Sequence, residues 1–279
     1  MELILKNTNI EEKLPLLFGL KNLSLNSNTI SLEKLKTLKN KNIYLSIDKN
    51  IFNEDLKYLE KALKTIDKIE IKGIFFYDLA VLSVSKKLNL KTKLIWNQDF
   101  LVTNYKTCNY YKHEKVKGAV LSPLTIQEIT KIRENTTLEL FVNIFGYQVM
   151  AISRRKLLTS YYDYLNEKNN KNINYITEKT GTYPVIETPL GTKFLTKNVL
   201  NGIRYINKLK EIGINYLILD GILLDNDTFL KVLEYYKEAV YNNVKEQRLL
   251  EMEKKITELL KTDLGFFQKD TIYKVKKND

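Results

Sequence analysis

A single cysteine and a single histidine in 279 residues remove much of the chemistry a chain of this size can carry. Cys108 alone allows no internal disulfide, which fits a reducing compartment and makes the cytoplasm the expected location. One thiolate also cannot hold an iron–sulfur cluster or a thiolate zinc site, since those need three or four cysteines, so no cluster is expected in this chain and no metal site is assigned. His113 alone excludes zinc held by two or three histidines. A Ser–His–Asp or Cys–His arrangement would have to run through it. Glycine is sparse, with 10 residues, and no glycine-rich phosphate loop follows any expected strand. No apolar run approaches the roughly 20 residues of a spanning helix. The opening Met1-Glu2-Leu3-Ile4-Leu5-Lys6 is too short for a signal peptide. Secretion and membrane insertion are therefore not expected.

What is present is an ordinary apolar fraction, 44%, and a surplus of 45 basic over 33 acidic residues, giving +12. The apolar fraction suits a folded globular protein. The charge has two readings: a background preference for lysine, alongside asparagine, isoleucine and tyrosine, or a positive surface that attracts phosphates.

Short apolar stretches alternate with helix-length segments, the pattern of a parallel sheet with crossover helices. Strands are expected at 2–5, 20–25, 43–47, 69–76, 91–96, 118–121, 138–143 and 214–219. A helix through Ile10, Leu14, Leu17 and Phe18 follows the first, and Leu56, Leu59, Leu63 and Ile66 mark another at helical spacing. Thr125-Ile126-Gln127-Glu128 reads as a capping box. After the seventh strand the rhythm breaks. Residues 146–153 read as a loop, a helix is expected from Arg154, and an inserted β-hairpin element at about 165–198 carries Gly181, Pro184, Pro189 and Gly191 as turn punctuation. A helix over 199–212 precedes the last strand, and one long amphipathic helix follows over 228–260. Eight such units predict one (β/α)₈ TIM-type barrel domain over 1–261, with a basic, aromatic tail at 262–279. An open doubly wound sheet is the alternative.

The strands end in Asn7, Asn26, Asp48, Asn97, Ser122, Asn143 and Asp220. In a barrel these converge on one rim, where barrel enzymes keep their sites, although Asn, Asp and Ser also favour turns after strands. Asp48 and Asp220 are the candidate acid–base pair. Ser153-Arg154-Arg155-Lys156 opens a helix, and arginines there oppose the helix dipole. With the helix N–H groups they would form a pocket for a phosphate or carboxylate. Arg154, Arg155, Ser153, Asn143 and Asn97 are thus the candidate substrate-binding set. His113 reads as a surface residue and Cys108 as packing.

Several segments together are similar to a known family. Glu139-Leu140-Phe141-Val142-Asn143, Gly146-Tyr147 and Ser153-Arg154-Arg155-Lys156-Leu157-Leu158 resemble the core of the collagenase-like peptidases, family U-32, in a subgroup without cysteines at this place. Thr182-Tyr183-Pro184-Val185-Ile186-Glu187, Leu219-Asp220-Gly221-Ile222 and Gly265-Phe266-Phe267 with Thr271-Ile272-Tyr273-Lys274 agree. The resemblance implies a barrel. It also implies either peptidase activity or a part in hydroxylating RNA bases, including the wobble uridine of transfer RNA; other members act in quinone hydroxylation. The hydroxylation members often work as pairs of related subunits, and many hold a cluster through cysteines; here Val149, Met150 and Lys156 stand near those places. The expectation is a subunit in tRNA wobble-uridine hydroxylation beside a related chain, its ligand tRNA or a small organic acid. A peptidase using Asp48 and Asp220, and a non-catalytic partner-binding subunit, are the alternatives.

Overall fold

The computed structural model describes residues 1–8, 13–39, 42–171 and 173–268. The chain lays down β1 (Glu2–Lys6), β2 (Leu16–Leu20) with the two-residue β3 (Thr29–Ile30) at its side, β4 (Ile43–Ile47), β5 (Gly73–Phe76), β6 (Leu94–Trp96), β7 (Gly118–Val120) and β8 (Glu139–Gly146). An inserted antiparallel sheet follows, made of β9 (Val149–Ser153), β10 (Asn174–Glu178), β11 (Gly181–Thr188) and β12 (Gly191–Leu195), ordered β10-β11-β12-β9. The chain returns through β13 (Val199–Asn201) to β14 (Tyr216–Asp220), which pairs parallel with both β1 and β8. That double pairing closes eight parallel strands into a TIM-type barrel. Helices α1 (Leu32–Thr37), α2 (Leu56–Asp67), α3 (Leu79–Lys87), α4 (Tyr105–His113) and α5 (Ile126–Asn135) lie between the strands. Next come α6 (Leu157–Leu165) inside the insert, α7 (Ile206–Ile212), α8 (Asn226–Tyr241) and α9 (Glu246–Leu259).

Strand alternation divides the core in two. Each barrel strand sends one residue inward to a central layer: Ile4, Leu17, Tyr44, Phe75, Ile95, Val120, Phe141 and Ile218. Three of these are aromatic, so the layer is filled by edge-to-face rings; Phe75 and Phe141 lie 5.2 Å apart, and Tyr216 stacks on Phe141 at 4.3 Å. The intervening residues, such as Leu3, Leu5, Leu45 and Leu219, face outward against the helices.

Local signals explain most elements. Thr125 and Glu128 form the expected capping box of α5, with the Thr125 N–H donating to the Glu128 carboxylate at 2.8 Å. Leu59, Leu63 and Ile66 are buried on α2, whereas Leu56 is exposed.

Four expectations need correction. Leu17 and Phe18 belong to a strand rather than a helix, and the second barrel strand ends at Leu20 instead of starting there. A short, fully apolar run reads equally as either, and Pro15 before it suits a strand start, where no N–H is needed; Ile10 lies outside the described residues. The stretch before Arg154 is not a loop. The insert begins at Val149 as a strand, so the hairpin is part of a four-stranded sheet, and α6 starts only at Leu157. The segment from Val199 opens as a strand, with only its second half helical. The long terminal helix is two, broken after Asn242, with the buried Val244 in the turn and Arg248 gripping Glu238 across it at 3.0 Å. The tail as far as Gln268 is docked: β15 (Thr262–Asp263) pairs with β13, and Phe267 packs on Tyr205. Thr271, Ile272, Tyr273 and Lys274 lie outside the described residues.

Because the central layer is aromatic and closely fitted, Phe141→Ala should cost about 3–5 kcal/mol of unfolding free energy with an unchanged denaturant slope, measured by urea titration.

Candidate functional site

Two residues beyond the central layer, the same alternation turns polar. Counting on from the inward residues of β1, β4, β6, β8 and β14 gives Lys6, Ser46, Asn97, Asn143 and Asp220, all inward at the C-terminal mouth. Position 19 is glycine for a steric reason. A Cβ there would lie 2.4 Å from Ser24 Oγ and 2.9 Å from Asn26 Cβ, so Ser24 and Asn26 occupy the inward space that Gly19 vacates.

The mouth holds two kinds of polar group. The first kind is tied down. Asp220 accepts from Lys6 Nζ at 3.0 Å, from Asn7 Nδ2 at 2.8 Å and from the Ile222 N–H at 3.0 Å. Burial alone would lower the Lys6 ammonium's pKa, but the adjoining Asp220 carboxylate holds it above the usual lysine value. Asp48 accepts from the Leu25 N–H at 2.6 Å and pins the loop after β2. Gly146 serves the same frame. Its φ of +116° and the 2.4 Å from its absent Cβ to the Asp220 carbonyl oxygen admit no side chain where β8 meets β14.

The second kind has no hydrogen-bond or ion-pair partner among the described residues: the side chains of Asn26, Asn97, Asp99, Asn143 and Lys193. Both amide atoms of Asn26 are sealed from solvent without a partner, which is expensive unless a ligand completes them, and Lys193 is 4% exposed. Lys193 comes from the insert. Its cross-strand neighbours are Ile186 and Ile152, on the sheet face opposite Glu187 and Thr192, and its ammonium sits in the field of Asp48, Lys6, Asp99 and Asp220. Burial pushes the Lys193 pKa below the usual lysine value, and Lys6 adds to that while the three carboxylates oppose it. Burial likewise raises the Asp99 carboxyl, against the pull of Lys6 and Lys193. An ammonium and a carboxyl, both shifted toward neutrality and both free, suit proton transfer or hydrogen bonding to a ligand. Lys6, Asn97, Asp99, Asn143, Tyr147 and Asp220 line one cavity at the mouth. An apolar cavity walled by Leu124, Val142, Leu200 and Phe266 shares Asn143 and Gln148 with it.

Of the residues expected from sequence, Asn97, Asn143 and Asp220 therefore share the mouth, and Asp48 stands at its edge. Ser153, Arg154 and Arg155 do not line this cavity. The N-terminus of α6, expected to join the arginines in an anion pocket, is filled from within. The Glu187 carboxylate accepts from the Leu158 N–H at 2.8 Å, from the Thr159 N–H at 3.2 Å and from the Thr159 hydroxyl. These bonds hold the Glu187 pKa below the ordinary value despite the opposing effect of burial. Both arginines are exposed; Arg154 lies over the Phe52 ring at 4.4 Å and Ser153 Oγ accepts from the Arg155 N–H. His113 is exposed at the C-terminal end of α4, and Cys108 is buried, its thiol pushed up to about 11, so neither supplies a nucleophile or base to the mouth. Asp48 and Asp220 are engaged separately, Asp48 by the Leu25 N–H and Asp220 by Lys6. No group of three or more His, Cys, Asp or Glu among the described residues is arranged to hold a metal ion, and no helix among them is long and apolar enough to cross a membrane.

This arrangement defines a TIM-type barrel with a roofed polar cavity at its C-terminal face, the place where characterised barrel enzymes work. Residues 17–274 match peptidase family U32, and the chain belongs to that family. It is 26% identical over 249 residues to tRNA hydroxylation protein P2 of Bacillus subtilis, covering 83% of this chain and 81% of that protein. It is 25% identical over 243 residues to an uncharacterized protease, MJ0090, of Methanocaldococcus jannaschii, covering 80% of this chain but only 58% of that longer protein. Among solved structures it resembles the U32 peptidase Mk0906, at 12% identity and a TM-score of 0.47, over 78% of this chain and 92% of that one.

Removing the Asp220 carboxylate strands the Lys6 ammonium in a buried site. Asp220→Ala should destabilise the chain by about 3 kcal/mol, and Lys6→Met combined with Asp220→Ala by less than the sum of the single changes, measured by equilibrium denaturation.

Proposed function

We propose that this chain acts in tRNA modification, in the hydroxylation of uridine at the wobble position, as a cytoplasmic subunit working beside a related chain. The observation that carries the reading is the set of unpartnered side chains over the mouth. A uracil ring presents two carbonyl oxygens and one N–H along an edge. Lys193 and the Asn97 and Asn143 amides supply donors for the oxygens, and Asp99 or an amide oxygen accepts from the N–H. Reaching such a site requires a nucleotide turned out of its stack, which an unpaired loop base does at least cost. The similarity to a protein named for tRNA hydroxylation supports the same reading. Arg154 and Arg155, at the rim rather than inside, serve the RNA backbone or a small organic acid.

Peptidase activity remains the second reading, on the family name and on the relative named as a protease. It lacks a paired nucleophile in the mouth, since Cys108 is buried and His113 stands apart. A subunit that only positions its partner is the third.

Deleting the gene and analysing tRNA nucleosides by mass spectrometry should show hydroxylated wobble uridine lost, restored by the wild-type chain and not by Lys193→Met. Unchanged hydroxylation after deletion would remove the reading.

A further inference from the structure

The rim of the mouth carries large aromatic side chains that no packing requirement explains. Phe52 is 50% exposed in the loop after β4, Phe100 is 53% exposed after β6, and Tyr175 is 58% exposed on β10. Their placement is not random. Phe100 lines the mouth cavity. Tyr175 pairs across the sheet with Pro184, on the face that also carries Ile186 and Lys193, while Asn174 on the other face accepts from Tyr162 of α6. Tyr175 thus lies on the sheet face that brings Lys193 to the mouth, within electrostatic range of Tyr147, itself a wall of the cavity. Phe52 already carries a cation on its face, the Arg154 guanidinium at 4.4 Å.

A protein-docking surface is a contiguous patch with an apolar centre. Here Leu101 stands exposed beside Phe100 and Ile152 on the sheet face of Tyr175, but the centre they surround is polar and a guanidinium lies among them. Flat, separated stacking faces beside positive charge are the features that hold unpaired nucleotides, because every base has a π-face and every phosphate a charge.

We infer that Phe52 with Arg154, Phe100 and Tyr175 form a stacking rim that grips the unpaired nucleotides of an RNA loop on either side of the base delivered to the mouth. This rests on the tRNA reading above and adds the surface that recognises the RNA as single-stranded.

The test measures affinity of the full chain for a labelled anticodon stem-loop and for a blunt RNA duplex of equal length. The wild type should prefer the stem-loop. Phe100→Ala combined with Tyr175→Ala should weaken stem-loop binding at least about tenfold and leave duplex binding unchanged, while Tyr175→Phe should stay within about twofold because the ring is kept. Arg154→Ala should also flatten the salt dependence by about one charge. Thermal unfolding of each variant checks that it folds. Equal stem-loop binding by the double variant overturns the rim, as does a wild type that binds duplex as tightly. If deletion abolishes wobble-uridine hydroxylation while the double variant binds normally, the tRNA reading stands and the rim falls. Ring-dependent loop binding by a chain whose deletion leaves hydroxylation intact does the reverse.

Discussion

The Lys6–Asp220 ion pair is the contact on which the mouth depends. It joins the ends of the first and last strands of the ring, at register partners that β1 and β14 bring side by side. Through Asp220 it extends to Asn7 and the Ile222 N–H, and Asn7 in turn accepts from Ser27. One carboxylate therefore organises three loops. In a low-dielectric site such a pair offers modest net stability but punishes the loss of either member, which favours one arrangement of the rim over its competitors.

That fixed frame gives the free groups their meaning. Committed residues sit on the barrel, whereas Lys193 arrives from the inserted sheet, so the site is complete only when the insert is seated. The insert is held from both faces. On one side, Glu187 and Thr192 cap α6; on the other, Lys193 enters the mouth and Arg154 rests on Phe52. The two faces of this sheet divide the work: the inner one brings Lys193 to the mouth, and the outer one fixes the start of α6.

Much of the barrel was legible because strand–helix alternation needs no long-range information, and the strand-end residues Asn97, Asn143 and Asp220 followed from it directly. What failed did so for physical reasons. Leu16–Leu20 is a strand buried on both faces, whose continuous apolar run carries no period. Arg154 and Arg155 looked like an anion site because a helix start and two guanidiniums adjoin in sequence, but Glu187, some thirty residues away, reaches the helix first. Lys6 and Asp99 lie on the inward alternation through Ile4 and Ile95, but one lysine among so many carries no mark in the sequence and Asp99 stands beyond the first polar residue. Lys193 had no local signal at all, since only the pairing of β12 with β9 and β11 turns it toward the barrel.

The proposed ligand is a uracil edge that completes the amides and ammonium over the mouth. Titrating ¹⁵N-labelled chain with an anticodon stem-loop tests it through the side-chain amide resonances of Asn97 and Asn143. Both should shift with a uridine at the wobble position and stay put when cytidine replaces it, because the ring's N–H and one carbonyl are lost. Equal shifts with either base, or none with uridine while backbone signals elsewhere move, would contradict it.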